Sequence, residues 1–330
     1  MLKQRSPLFL FGLLALFTLS CDSEIFLPEA TAFGIRHDKT LQEYEALAAS
    51  NAADLPNFSA VVFFSYSLDG SDNAEYVASG TLITQEWILT AGHNFYDIQE
   101  QNDVAPASGI QVTFGNDPNT SSQVYEVAEI VMHPTWLNGD QEYADANDLC
   151  LVRLSRANTD VTPAPLHTTS TEDLGGLVYG CGFGDYSATD GQDPDLYSRK
   201  HALANHLDRI VGGITTRANG VTYGGGLLAF DFDDLDGFVN SLGDDDITTD
   251  EEILGDGTSE ALAIEYEAGT VQGDSGGPLF VRNGDQWEVA GVLSGGASDP
   301  VPNWRDGDYG DISIYTRVST AIDWINSVIQ

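Results

Sequence analysis

A serine becomes a nucleophile only when a base takes its proton, and three stretches of this chain hold the residue types such chemistry needs. Gly273-Asp274-Ser275-Gly276-Gly277-Pro278 frames a Ser with glycines. There a tight turn can expose the hydroxyl, and backbone N–H groups can approach a carbonyl without a clashing Cβ. Trp87-Ile88-Leu89-Thr90-Ala91-Gly92-His93 ends an apolar run on a His, so a strand would deliver a base to its own end. Asn147-Asp148-Leu149-Cys150-Leu151-Val152 puts an acid at the head of another apolar run. A carboxylate entering a core needs a partner, and a His N–H serves, fixing the tautomer and stabilising the imidazolium. The expected set is Ser275 as nucleophile, His93 as base and Asp148 as the group that orients His93. His133 competes as a base; His37, His167, His201 and His206 have no comparable setting and read as surface residues.

These residues need a scaffold, and the chain is rich in short β-type runs. Ala60–Ser67, Glu75–Ile83, Trp87–Ala91, Ile110–Phe114, Val124–Met132 and Leu149–Leu154 form a first series. Leu177–Cys181, Gly226–Phe230, Ala261–Tyr266, Leu279–Val281, Glu288–Leu293 and Ser313–Val318 form a second. Gly, Asn, Asp and Pro punctuate them, which argues for all-β barrels or sandwiches. Thr40 followed by Glu43 is a capping-box pattern, and Leu41, Tyr44 and Leu47 or Ala48 then share a face, so Thr40–Ser50 is expected to be helical. Ile322, Ile325 and Val328 or Ile329 predict a terminal helix over Thr320–Ile329.

Composition narrows the partners. The 330 residues include 42 % hydrophobic and 10 % aromatic residues, enough for a packed core. With 51 acidic residues against 13 basic ones, the formal charge is -38. Such a polyanion repels phosphate, so nucleic acid is excluded as an expected partner. The acidic surface suits salty surroundings, where self-repulsion is screened. The most acidic segment is Asp231–Gly257; counted back from Gly237, an EF-hand frame puts Phe232 first and Gly243 twelfth, so that motif fails. No cofactor is required by these residues, and calcium at acidic loops outside an EF-hand stays open. Lys3 and Arg5 precede an apolar run from Leu8 to Leu19, too short to span a bilayer comfortably and suited to a secretory signal peptide over residues 1–21. Thr18-Leu19-Ser20-Cys21 resembles a bacterial lipoprotein processing site, with Thr18 where an aliphatic residue is usual. Lipidation of Cys21 and plain cleavage both stay open. The expected location is accordingly secreted, periplasmic or lipid-anchored to a bacterial envelope, with Cys21 as the one membrane attachment. Cys150 and Cys181 alone follow the signal, and buried free thiols are the default reading.

The order His, Asp, Ser and the sequences around them resemble the trypsin/chymotrypsin-like serine peptidases of the secreted bacterial branch. Thr-Ala-Gly-His stands for the family's Thr-Ala-Ala-His, Asn-Asp-Leu-Cys-Leu for Asn-Asp-Ile-Ala-Leu, and Gly-Asp-Ser-Gly-Gly-Pro-Leu matches outright. Ser79-Gly80-Thr81-Leu82-Ile83, His133-Pro134, Gly291–Gly296, Tyr315-Thr316-Arg317-Val318 and Asp323-Trp324-Ile325 extend the likeness; His133 then takes a structural position. The resemblance implies two packed six-stranded antiparallel β-barrels, about 35–165 and 166–318, with a C-terminal helix over 320–329. Residues 35–330 would be the peptidase domain and 22–34 a short propeptide or linker. It implies peptide or protein substrates, an oxyanion hole from the N–H groups of Gly273 and Ser275, and a primary pocket of Gly269 as floor with Thr270, Gln272, Ser294, Gly295, Gly296 and Ser313. Uncharged Gly269 favours apolar side chains before the scissile bond, with Asp311 as the acid that would instead admit a basic one. Family practice also suggests a mature N-terminus at Ile35, whose ammonium would pair with Asp274. The Cys residues that often follow the His and precede the Ser are Asn94 and Val271 here, so packing alone is expected to hold the site. Two other function classes compete: an inactive homologue acting as a binding module, whose signature would be an altered triad, and a two-carboxylate hydrolase, which would leave the Ser motif without a purpose.

Overall fold

Val61-Val62-Phe63-Phe64-Ser65-Tyr66 is a run of β-branched and aromatic side chains, and all but Ser65 are buried in strand β1 (Val61–Tyr66). The strand is covered on both faces because it belongs to a closed barrel and Phe63 also packs on Phe183, 5.3 Å away. The computed structural model describes residues 34–71, 73–96, 103–138, 147–186, 199–216, 220, 222–243, 251–297 and 307–330. The signal and Cys21 expectations, and the linker expectation up to residue 33, lie outside the described residues. With β1, strands β2 (Tyr76–Leu82), β3 (Trp87–Thr90), β4 (Ile110–Thr113), β5 (Val124–Met132) and β6 (Cys150–Leu154) form a closed antiparallel barrel in the order β1-β2-β3-β6-β5-β4. Its core is apolar and aromatic, with Phe64 and Phe95 edge to face at 5.5 Å.

The second half differs from the expected six-stranded barrel. Strands β7 (Leu177–Gly182), β8 (His201–His206), β9 (Arg209–Thr216), β10 (Thr222–Tyr223), β11 (Leu227–Asp231), β12 (Glu251–Asp256), β13 (Pro278–Asn283), β14 (Gln286–Ala297) and β15 (Ile312–Arg317) make a nine-stranded sheet. Its path is β10-β9-β11-β15-β14-β13-β7-β8, with β12 added to β9. The reason it does not close lies in β9. One edge carries β12 from Ile210 to Thr216, and the other carries β11 and β10. No edge is left for β8. Four strands were not expected, the two-residue β10 among them. His201–His206 carries polar residues yet is buried on both faces, so it lacks alternation. Arg209–Thr216 carries a Gly pair, which reads as a turn. Glu251–Asp256 sits inside an acidic run, a composition that reads as loop. The expected strand at Ala261–Tyr266 is a turn instead: Tyr266 has φ 62° and the Glu267 N–H donates to the Ile264 carbonyl at 3.2 Å.

Helix α1 (Leu41–Ala48) forms where the capping pattern placed it, and Glu43 accepts from the Thr40 N–H at 2.9 Å. A short helix α2 (Pro134–Leu137) begins on Pro134 behind His133, whose ring packs on Trp324 at 4.7 Å. Helix α3 (Ile322–Ile329) buries Ile325 and lays Ile322 and Val328 against the first core. Cys150 and Cys181 are free and buried, and burial pushes both thiols up.

Four carboxyl groups are buried behind the second sheet: Asp208, Asp231, Asp233 and Glu267. Burial, with the neighbouring Asp231 charge, pushes Asp208 up to about 10. Burial raises Asp231 and Asp233 and takes Glu267 up to about 7. Among the described residues no three His, Cys, Asp or Glu side chains are placed to hold a metal ion; within the acidic segment, residues 244–250 lie outside the described residues. A raised carboxyl stabilises the fold below its unfolded value of about 4 and loses that contribution as pH rises through its folded value. Stability from this group therefore falls from about pH 4 upward, through about 7 for Glu267 and towards about 10 for Asp208. Asp208→Asn keeps an oxygen for the Asp231 N–H, which donates to Asp208 Oδ2 at 3.3 Å. It is expected to raise the melting midpoint at pH 8 by roughly 3–8 °C and to flatten the decline between pH 5 and 8. Scanning calorimetry across that range checks it; an unchanged slope refutes it.

Candidate active site

The three chemistry-bearing stretches converge where the barrel meets the second sheet. The strand β3 ends at Thr90, and a turn carries His93 beyond it. Gly92 is needed at that turn, since a Cβ there would lie 2.7 Å from the Trp136 ring. Asp148, 2 % exposed, stands at the entrance to β6. Its Oδ1 accepts from the His93 backbone N–H at 2.8 Å, and its Oδ2 lies 2.6 Å from His93 Nδ1. Ser294 Oγ donates to the same Oδ2 at 2.6 Å. A carboxylate gripped from three sides holds the proton on Nδ1 and leaves Nε2 to act as acceptor.

Ser275 is half-buried on the turn that precedes β13. Its carbonyl accepts from the Ser79 N–H at 2.9 Å and from Asn94 Nδ2 at 3.2 Å. Ser79 Oγ also donates to the Gly273 carbonyl at 2.9 Å and accepts from the Phe183 N–H at 3.0 Å. The turn is thus tied to the barrel by hydrogen bonds, which corrects the expectation that packing alone would hold it. Asn94 Nδ2 also donates to Thr90 Oγ1 at 3.1 Å, a buried bond that fixes the side chain. Gly273 has φ 101°, a left-handed conformation that favours Gly. Among the described residues no backbone acceptor takes the N–H of Gly273 or Ser275, whereas Asp274 N–H donates to Val271 and Gly276 N–H to Leu293. Two unengaged amides beside a hydroxyl are what an incoming oxyanion requires.

Beside Ser275 lies a cavity of about 440 Å³. Thr270, Gln272, Gly295, Gly296 and Ser313 line it as expected, with Val271, Leu293, Ala297, Asp311 and Ile312. Gly269 and Ser294 do not. The β14–β15 register shifts between Leu293 and Gly295, which leaves Ser294 unpaired in the ladder and turned to Asp148 while Leu293 and Gly295 line the cavity. Gly269 lies beyond Thr270, its N–H on the Gly34 carbonyl and its own carbonyl accepting from Tyr186. Thr270 Oγ1 and Ser313 Oγ lie 2.9 Å apart, each occupying the other's polar group. Asp311 accepts the Gly307 N–H at 2.7 Å.

The remaining histidines are not all on the surface. His167 is buried with Nδ1 2.9 Å from Glu288, and His201 is buried with Nε2 2.9 Å from Asp274 Oδ1. Nothing local in the sequence marks either one, because the partners lie 121 and 73 residues away. In the unbroken chain the Ile35 backbone bridges to Ala268.

The arrangement defines a class of protein: a β-barrel and a second β-sheet presenting Ser, His and Asp at their junction. The trypsin family model matches residues 53–209 and 238–325, so the chain belongs to the trypsin family. It omits 210–237, which holds most of β9 with β10 and β11, whereas β12 on the other edge of β9 lies inside the matched range. The chain is similar to tryptase of Mus musculus, 27 % identical over 262 residues, covering 77 % of this chain and 79 % of that protein. It is also similar to haptoglobin of Bos taurus, 22 % identical over 259 residues, and spans 54 % of that protein's length.

Proposed function

We propose that this chain is a secreted serine endopeptidase, residues 35–330 forming its catalytic domain behind a signal (1–21) and a linker (22–34). Ser275 Oγ attacks the scissile carbonyl as His93 Nε2 takes its proton; His93 then protonates the leaving amine, and water releases the acyl group by the reverse route. The N–H groups of Gly273 and Ser275 stabilise the oxyanion. The observation that carries this reading is the Asp148 carboxylate gripping His93 at both its backbone N–H and Nδ1. A pure binding module has no use for that geometry, and a two-carboxylate hydrolase has no use for Ser275. An organofluorophosphonate probe tests it: the expected result is one adduct, on Ser275, lost in Ser275→Ala. No adduct on the folded chain overturns the reading.

Apolar residues are the proposed choice before the scissile bond. Val271, Leu293, Ala297 and Ile312 give the cavity apolar walls, and a cation placed among them without a counter-charge is costly. A second reading rests on Asp311, which lines the same cavity and offers an acid to Lys or Arg. A peptide library is expected to show apolar residues favoured at least about tenfold over Lys and Arg, with Asp311→Asn leaving the order unchanged. A profile led by Arg that Asp311→Asn abolishes establishes the second reading instead.

A further inference from the structure

Asp274 sits beneath the turn that carries Gly273 and Ser275, with 4 % exposure. A carboxylate buried there must be compensated, and four donors surround it. Oδ1 accepts from the Gly184 N–H at 2.8 Å and lies 2.9 Å from His201 Nε2. Oδ2 accepts from the Val271 N–H at 3.1 Å and lies 3.3 Å from the Tyr186 hydroxyl, whose one proton it shares with the Gly269 carbonyl at 3.0 Å. The approach depends on two glycines: a Cβ on Gly182 would lie 2.2 Å from Oδ1, and one on Gly184 2.6 Å from Oδ2. His201 is as buried as its partner, at 2 % exposure. The Tyr186 ring holds it edge to face at 4.3 Å, and the Arg199 carbonyl lies 3.4 Å from Nδ1. An imidazole protonated on both nitrogens therefore finds an acceptor at each.

The backbone of Asp274 is bound as well. Its N–H donates to Val271 at 3.0 Å, and its carbonyl accepts from Gly277 at 2.8 Å. Fixing the carboxylate thus fixes the turn on both sides of Ser275. All of this exists while the chain runs unbroken through Gly34 into Ile35. Gly34 donates to the Gly307 carbonyl at 2.8 Å and accepts from the Gly269 N–H at 2.9 Å, while Ile35 is buried against Ala268. Cleavage between Gly34 and Ile35 would free Gly34 and surrender both bonds.

We propose that His201, assisted by Tyr186, holds Asp274 in the role an N-terminal ammonium would otherwise fill, so that the oxyanion turn forms in the intact chain and activity requires no cleavage before Ile35. His201 is a positioning residue: it acts through Asp274 on the amides of Gly273 and Ser275. The proposal rests on the peptidase reading above. Its test begins with the purified chain still carrying residues N-terminal to Ile35, verified by intact mass. Fluorophosphonate labelling rate and peptide turnover are measured before and after trimming to Ile35. The intact chain is expected to react, with trimming changing the rate less than about twofold. His201→Leu is expected to lower kcat about 10²-fold, the scale of a lost oxyanion donor, with KM changed far less and the far-ultraviolet circular dichroism retained. His201→Gln, which presents an amide N–H to the same oxygen, is expected to recover most of the loss. An intact chain inert until Ile35 is freed overturns the proposal, as does His201→Leu with unchanged kcat. If His201→Leu does not fold, the comparison of intact and trimmed chains still decides. A chain inert both before and after trimming overturns the peptidase reading itself.

Discussion

Ser275→Ala is expected to lower kcat on a peptide substrate by about 10⁵–10⁶-fold while leaving the melting midpoint within a few degrees. The size follows from how the residues share the work. His93 has no proton to take once Oγ is gone, and Asp148 then orients a base with no function, so the loss is that of the whole constellation. What remains is binding in the cavity and the two amides of Gly273 and Ser275, worth about 10³–10⁴ over the reaction in water. The fold should not notice. The Ser275 contacts with Ser79 and Asn94 are made by its backbone carbonyl, and Ala supplies the same carbonyl. Single-turnover kinetics with an ester substrate, alongside calorimetry, gives both numbers. Turnover within tenfold of the parent refutes the role of Ser275.

Asp148→Asn is expected to cost about 10⁴-fold in kcat with little change in KM. The two side chains are nearly isosteric, so the cause is hydrogen-bond polarity. Asp148 Oδ1 receives the His93 backbone N–H, and Oδ2 faces His93 Nδ1 and the Ser294 hydroxyl. An Asn must turn its NH₂ towards one side. Facing Nδ1, it donates, so the imidazole proton moves to Nε2 and the base can no longer accept from Ser275. Facing the backbone N–H, it opposes donor to donor in a site of 2 % exposure, a costly arrangement. Nitrogen chemical shifts of His93 report which ring nitrogen carries the proton and are expected to interchange between the parent and Asp148→Asn. Unchanged shifts with unchanged kcat refute the assignment of Asp148.

Local order in the chain carried the site's chemistry. The residues proposed as nucleophile, base and orienting acid could be singled out because each sits at the edge of an element whose pattern is strong: the apolar runs of β3 and β6, and a Gly-framed turn. The terminal helix and the Thr40–Glu43 cap were legible for the same reason, since periodicity and capping are written within a few residues. The second sheet was not. His201–His206 lacks alternation because burial on both faces removes it, the Gly pair of Arg209–Thr216 reads as a turn, and Glu251–Asp256 is a strand because β9 offers it an edge. No window of sequence contains that edge.

What the sequence determined by itself was which groups are proposed to react and the strands that deliver them, because nucleophile, base and turn chemistry depend on residue type and near neighbours. What only the tertiary structure decided was what restrains those groups. Ser294 faces Asp148 instead of the cavity at the shift in the β14–β15 register between Leu293 and Gly295. Asn94 and Ser79 tie the Ser275 turn to the barrel, and His201 reaches Asp274 across 73 residues. Each of these contacts joins segments far apart in the chain, and a side chain's partner at that range is set by which strands meet, not by what lies beside it in sequence.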